Sequence, residues 1–355
     1  IAEDTEGCGM KKKMITAMLI VSILLSAAAG ATTFALPAQA AATVDKKISF
    51  MQELTLPTEE QYKYKDWKQT TIDFLNYVLD ESNVYDEDGK NRKIARFTVG
   101  KNIDAYFGET GNQVWSIPPY IGKNSDTQIG EGITVIAAVM SGALCGMDMT
   151  NYEYNGNTFN LVKSCTEYFQ ADNKLNVVLN GGAGGEGGVT FWYELLPGVL
   201  FSVLADNAPT ETYLSDMITK SARQWRKAVV GMGGASADFY HTSYNLIKNE
   251  PFDGNWYEPD AAAGTAYILY SAYALNKNLK AEGKTPYATD AEIAEFLEAA
   301  KWSMDYLERI DFSPFYEVLT FLAPYLAARM NAEQGTNYNV AKMINWTLDG
   351  SSRVR

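Results

Sequence analysis

His241 is the only histidine in the chain, and there are just three cysteines, Cys8, Cys145 and Cys165. A zinc centre built on imidazoles is therefore excluded. With no CxxC pair and so few thiols, a disulfide framework is excluded as well. Cys145 and Cys165 each lie in an apolar helical pattern, which reads as a pair of buried thiols; outside the cell one disulfide between them is open. Basic residues are also in deficit, 30 Lys and Arg against 43 Asp and Glu, for a net charge of -13. Such a surface argues against nucleic acid and other polyanions as partners. The glycine-rich stretch "LNGGAGGEGGVTFWYE" has no Lys-Ser/Thr after it, so it is no phosphate-binding loop. It reads as a loop over a cleft, hinged by Gly181 to Gly188, with Glu186 at its tip. "YDEDGKN" holds Asp86, Asp88 and Asn91 but lacks the later Glu and the glycine position of a calcium loop, so it reads as an Asp-Gly turn. No metal and no cofactor are expected.

The sequence begins with an export signal. Residues 1–9 read as upstream, non-native sequence. Residues 10–40 combine a basic start (Lys11, Lys12, Lys13), an apolar stretch and an A-x-A pattern at Ala38-Gln39-Ala40. This predicts a secreted, extracellular protein that begins near Ala41 and has no membrane contact after signal cleavage. Residues 41–60 form a polar leader, and 61–355 form the catalytic domain.

Helical periodicity dominates from there. "DWKQTTIDFLNYVLD" places Trp67, Thr71, Phe74, Leu75 and Val78 on one face, and "NLVKSCTEYF" does the same with Leu161, Val162, Cys165, Tyr168 and Phe169. Further helices are predicted over 126–147, 190–206, 210–229, 259–277, 290–309, 314–332 and 338–348. Only "KIARFTV" and "KLNVVLN" alternate like strands, so the class is mostly α. Trp302, Tyr306 and Trp346 are expected in the core, and "RQWRK" (Arg223, Arg226, Lys227) on a solvated helix end. Beneath the helices lies a repeat. "WYE" at 192–194, "WYE" at 256–258 and "FYE" at 315–317 each open an apolar helix beside a proline, and "IGEG" carries Glu131 ahead of an earlier one. Glu131, Glu194, Glu258 and Glu317 are 63, 64 and 59 residues apart. Two helices and their loops fill such a period, so each repeat is predicted to be a helical hairpin.

Hairpins whose common feature is confined to one end of alternate helices suggest a ring with a functional rim. In "GEGITVIAA", "FWYELLPGVLF", "NWYEPDAAAGTAYILYSAY" and "FYEVLTFLAPYLAARM" the chain resembles the (α/α)6 toroid, or six-hairpin, superfamily of carbohydrate-active enzymes over residues 60 to 348. The resemblance implies an (α/α) toroid acting on a polysaccharide or oligosaccharide, as a glycoside hydrolase or a polysaccharide lyase. About five hairpins are visible, at 67–80, 126–171, 190–229, 259–309 and 314–348. The ring is therefore expected to lack its closing hairpin at the C-terminus.

Glu131, Glu194, Glu258, Asp260 and Glu317 are all predicted close to helix starts, where an acid favours the helix dipole and satisfies open N–H groups. Capping accounts for any one of them. It does not account for the aromatics beside them, whereas a sugar site needs flat apolar faces as well as carboxylates. Glycoside hydrolysis needs one protonated carboxyl and one carboxylate, and crowding against aromatics raises a carboxyl pKa. Glu194, Glu258 and Asp260 are the candidate catalytic residues, with acid and base unassigned. Trp192, Tyr193, Glu131, Tyr240, His241, Tyr244, Trp256, Tyr257, Tyr316 and Glu317 are the candidate sugar-binding residues. Two alternatives stand beside hydrolysis. "DFYHTSYN" is similar to the Tyr/His set of toroid lyases, which would make Tyr240 or Tyr244 the acid/base and His241 its partner in β-elimination. A non-catalytic glycan-binding toroid is the other.

Overall fold

The computed structural model describes residues 65–80, 82–85, 92–119, 130–154, 156–181 and 185–348. The upstream residues, the signal, the leader, Asp86, Asp88, Asn91 and residues 182–184 lie outside the described residues.

Ten α-helices lie among them, and the fold is mostly helical. They are α1 (Trp67–Leu79), α2 (Asn102–Phe107), α3 (Gly132–Leu144), α4 (Leu161–Ser164), α5 (Phe191–Asn207), α6 (Tyr213–Gly231), α7 (Ala261–Ala281), α8 (Asp290–Arg309), α9 (Leu322–Gln334) and α10 (Val340–Leu348). Four two-stranded antiparallel ribbons interrupt them: β1 (Val84–Tyr85) with β2 (Arg92–Lys93), β3 (Arg96–Val99) with β4 (Gln113–Ser116), β5 (Tyr152–Tyr154) with β6 (Asn157–Phe159), and β7 (Ser243–Asn245) with β8 (Glu250–Phe252). "KIARFTV" does supply β3. "KLNVVLN" supplies only one bridge, Val178 to Phe169.

Side-chain pairs fix the helix directions. Leu195 meets Gly264 near the starts of α5 and α7, and Ile268 meets Gly198 about one turn further along both, so these helices run parallel. The approach is close enough that a Cβ on Gly198 would lie 2.9 Å from Ile268. Tyr267 lies beside Tyr325, and Tyr270 donates to Glu333 at 2.8 Å, so α7 and α9 are also parallel. Asn276, late in α7, donates at 3.0 Å to Thr219, early in α6, so these two are antiparallel. Arg223 pairs with Glu292 and Arg226 with Glu295, which makes α6 and α8 parallel.

The result is one set of parallel helices (α5, α7, α9) and a second, opposed set (α6, α8), with α3 packed on α5 and α10 on α9. Amphipathicity separates the sets. α6 and α8 each carry one apolar stripe, while α7 begins with six consecutive buried residues, Ala261 to Ala266. Tyr306 and Trp346 are buried and Trp302 packs against the same core, in line with the sequence. "RQWRK" differs in part, because Arg223 and Arg226 are engaged by α8. Cys165 is buried and Cys145 partly so, both as free thiols.

Two further expectations are corrected. The stripe on α1 is only half used: Leu75, Val78 and Leu79 are buried, while Trp67 and Phe74 are 67% and 50% exposed. The helix expected over 314–332 starts only at Leu322, so "FYE" at 315–317 does not open it. Pro314 disfavours helix before it, and the backbone N–H groups of Tyr316 and Glu317 point to Asp260 rather than to a helical ladder.

Candidate functional site

A helix start leaves N–H groups without intrahelical partners. In this protein several starts are capped from elsewhere in the chain. The α2 start is held by Glu167, which accepts from the amides of Lys101 and Ile103 at 3.0 Å each. Asn180 accepts from Ile133 at 2.9 Å at the start of α3. Thr190, the N-cap of α5, makes no side-chain capping bond. Glu258 accepts from the Trp192 amide instead, at 3.0 Å. Asp260, at the start of α7, reaches the segment before α9: it accepts from Thr320 Oγ1 at 3.1 Å and from the amides of Tyr316 and Glu317 at 3.4 Å each. Glu258 and Asp260 are thus caps, but for neighbouring elements. That arrangement ties the starts of α5 and α7 to the approach to α9.

The acids meet as a consequence. Glu258 is fully buried, and Asp260 and Glu194 are nearly so. Glu258 also accepts from the Trp256 indole N–H at 2.7 Å. Burial raises its pKa to about 8, the Trp192 and Trp256 donors oppose the rise, and the Asp260 charge adds to it. Glu194 is likewise raised to about 8, by burial first and by the Glu258 charge. The Gly185 amide faces its carboxyl without reaching hydrogen-bond geometry, and neither oxygen of Glu194 has a hydrogen-bond partner. Asp260 is raised to about 6 by burial, against the pull of Thr320 and the two amides; its Oδ1 has no partner.

Glu131 and Glu317 are half-buried. Glu131 accepts from Thr134 at 3.0 Å and from Asn180 at 3.2 Å. Both acids lie near Tyr193, whose hydroxyl is held above its ordinary pKa by burial and then by their two charges. Tyr193 is 36% exposed and its ring lies 4.2 Å from that of Trp192. A second aromatic group sits on the same approach to α7: Tyr240 stacks on Tyr257 at 4.4 Å, and Phe312 meets Tyr240 edge-on at 6.0 Å. Tyr240 and Phe312 remain exposed. Phe312 was not picked out from the sequence, although "DFSPFYE" places it five residues before Glu317.

The Tyr/His set is divided, with Tyr240 exposed and Tyr244 buried. His241 Nδ1 bonds Asp253 at 2.7 Å, and the His241 backbone carbonyl accepts from the Glu258 amide at 2.9 Å. Tyr244, expected as a sugar contact or an acid/base, is fully buried on β7 with its hydroxyl against Gly231. All three residues of β7 are buried, Tyr244 among them, and burial pushes its pKa up to about 12. The described part of the glycine loop is tied down rather than free: Gly188 donates to Ser243 at 3.0 Å, Ile247 donates to the Gly185 carbonyl at 3.3 Å, and Asn245 donates to the Glu186 carbonyl. Among the described residues no group of three or more His, Cys, Asp or Glu is arranged to hold a metal ion, and no helix is long and apolar enough to cross a membrane.

No known protein family, curated protein or solved structure matches the chain.

Proposed function

We propose that the chain is a secreted, carbohydrate-active enzyme that cleaves glycosidic bonds by carboxylate chemistry on an (α/α) toroid of helical hairpins. The single observation that carries the reading is the convergence of acids from successive repeats. Glu131 and Glu317 lie near Tyr193, Glu258 holds the Trp192 amide, and, after burial, Glu258 acts on Glu194 and Asp260 on Glu258 as like charges. Parallel α5, α7 and α9 backed by an opposed set support the toroid.

The geometry divides the acids by task. Glu258 has both oxygens occupied by protein donors and is fully buried, so it serves as a positioning residue. Glu194 carries its proton near neutrality and spends neither oxygen on the protein, as a general acid requires. Its burial means that substrate entry breaks the bonds that tie Gly185, Glu186 and Gly188 to Ile247, Asn245 and Ser243. Glu131, half-buried and aimed by Thr134 and Asn180, is the group to orient and activate water. Tyr193, Tyr257, Tyr240 and Phe312 offer flat faces to pyranose C–H groups, and Glu317 an acceptor for hydroxyls.

Incubation with a panel of polysaccharides tests this. Hydrolysis releases new reducing ends without the ultraviolet absorbance of an unsaturated uronate. Glu194→Gln and Glu131→Gln should each lower the rate about 10²–10⁴-fold. Full activity in both variants removes the assignment; unsaturated products turn the reading to a lyase; glycan binding without turnover leaves a binding protein.

A further inference from the structure

Beside the end of α5, the middle and end of α7 and the first half of α9 lies a cleft of about 540 Å³, within the range of small-ligand sites. Ser271 stands eleven residues beyond Asp260 on α7, roughly 16 Å along the helix axis at 1.5 Å per residue. None of the acids described above lines the cleft.

Its polar groups are built but unused. Asp206, Ser271 and Asn278 line the cleft, and none of their side chains forms a hydrogen bond or ion pair within the protein. Ser271 is the telling one. Several helix hydroxyls bond back by one turn, as Ser202, Thr219, Ser221 and Ser303 do, while Thr265 on α7 leaves its hydroxyl without a partner. Ser271 makes no such bond back. Arg329 is fixed opposite Asp206: its Nε donates to Glu333 at 2.8 Å, its Nη1 donates to Tyr325 at 3.3 Å, and its guanidinium lies 5.0 Å over the Tyr270 ring. Tyr267 and Tyr325, ring centroids 6.1 Å apart, form an aromatic wall.

The charges select the ligand class. Arg329 is neutralised by Glu333, and Lys284 by Glu282 at 2.8 Å. Asp206 keeps a net negative charge beside the Arg329–Glu333 pair, and its carboxylate is an acceptor for ligand hydroxyls. What fits is a neutral molecule with hydroxyl donors for Asp206, acceptors for Asn278 and an apolar face for tyrosine. We infer that this cleft is a second glycan-binding site, which takes a neutral pyranose segment independently of the acid cluster.

Calorimetric titration with cellohexaose, maltohexaose, xylohexaose and chitohexaose tests it in a Tyr193→Ala background that disables the first site. At least one hexasaccharide should still bind there, and adding Tyr325→Ala or Asp206→Ala should weaken that binding about tenfold or more. Both side chains are exposed, so folding is expected to survive. Ser271→Phe, which fills the cleft, should abolish the binding. If no hexasaccharide binds the Tyr193→Ala protein, or if the binding ignores all three cleft changes, the inference falls. Reducing-end release by the otherwise native Tyr325→Ala protein reads the first site separately, so failure of one site is told from failure of the other.

Discussion

Glu292 in α8 and Glu194 in α5 are both acids in the opening turn of a long helix, yet their surroundings drive them in opposite directions. Glu292 completes a capping box with Thr289 and accepts from Arg223 at 2.7 Å. Arg223, followed by the Thr289 amide, holds its pKa down to about 2. Glu194 has neither a cation nor a hydrogen bond, and burial drives it up to about 8. One carboxyl stabilises the fold by ionising; the other opposes ionisation at neutral pH. A helix start explains the first acid completely. It explains Glu258, which caps a neighbour, and leaves Glu194 without a structural use.

The two environments predict opposite responses to mutation and pH. The largest effect belongs to Glu258→Ala. It strands the Trp192 amide and the Trp256 indole N–H, and should cost about 3 kcal/mol in urea unfolding. Glu194→Leu should instead stabilise the protein by about 2 kcal/mol at pH 8 while abolishing turnover. The sign follows from proton counts. A folded-state pKa above the unfolded one means the native state binds more protons between about 4.5 and 8, so stability falls as pH rises through that window. The gain from Glu194→Leu should therefore shrink as pH falls towards 4.5, and a gain independent of pH would contradict a buried, protonated Glu194. Glu292 works the other way: its contribution is present above about 4.5 and disappears as pH falls towards about 2. Thr289→Ala, which opens the capping box, should cost about 1 kcal/mol. Smallest is Arg226→Ala at the partly exposed pair with Glu295, 3.2 Å long, at about 0.5 kcal/mol and lost in high salt.

Much of the fold was legible because burial leaves a period in the sequence. The helices over 190–206, 210–229, 259–277 and 290–309 fall within a few residues of α5, α6, α7 and α8. Three of the four ribbons were not foreseen; strands of two to four residues are too short to show an alternation. The late start of α9 was hidden because it depends on Asp260, 62 residues earlier than Leu322. Among the site residues, Glu258 meets Trp192, Trp256, Glu194 and Asp260. Tyr244 does not join them, because the whole of β7 is buried and its hydroxyl lies against Gly231.

By itself, the sequence determined the helical class and the acidic, histidine-poor character of the chain, since each is a property of residue type and spacing. Tertiary structure alone decided which acid caps a neighbour, which stands half-exposed and which is left protonated. Burial and hydrogen-bond partners set those fates, and both come from segments some sixty residues away in the chain.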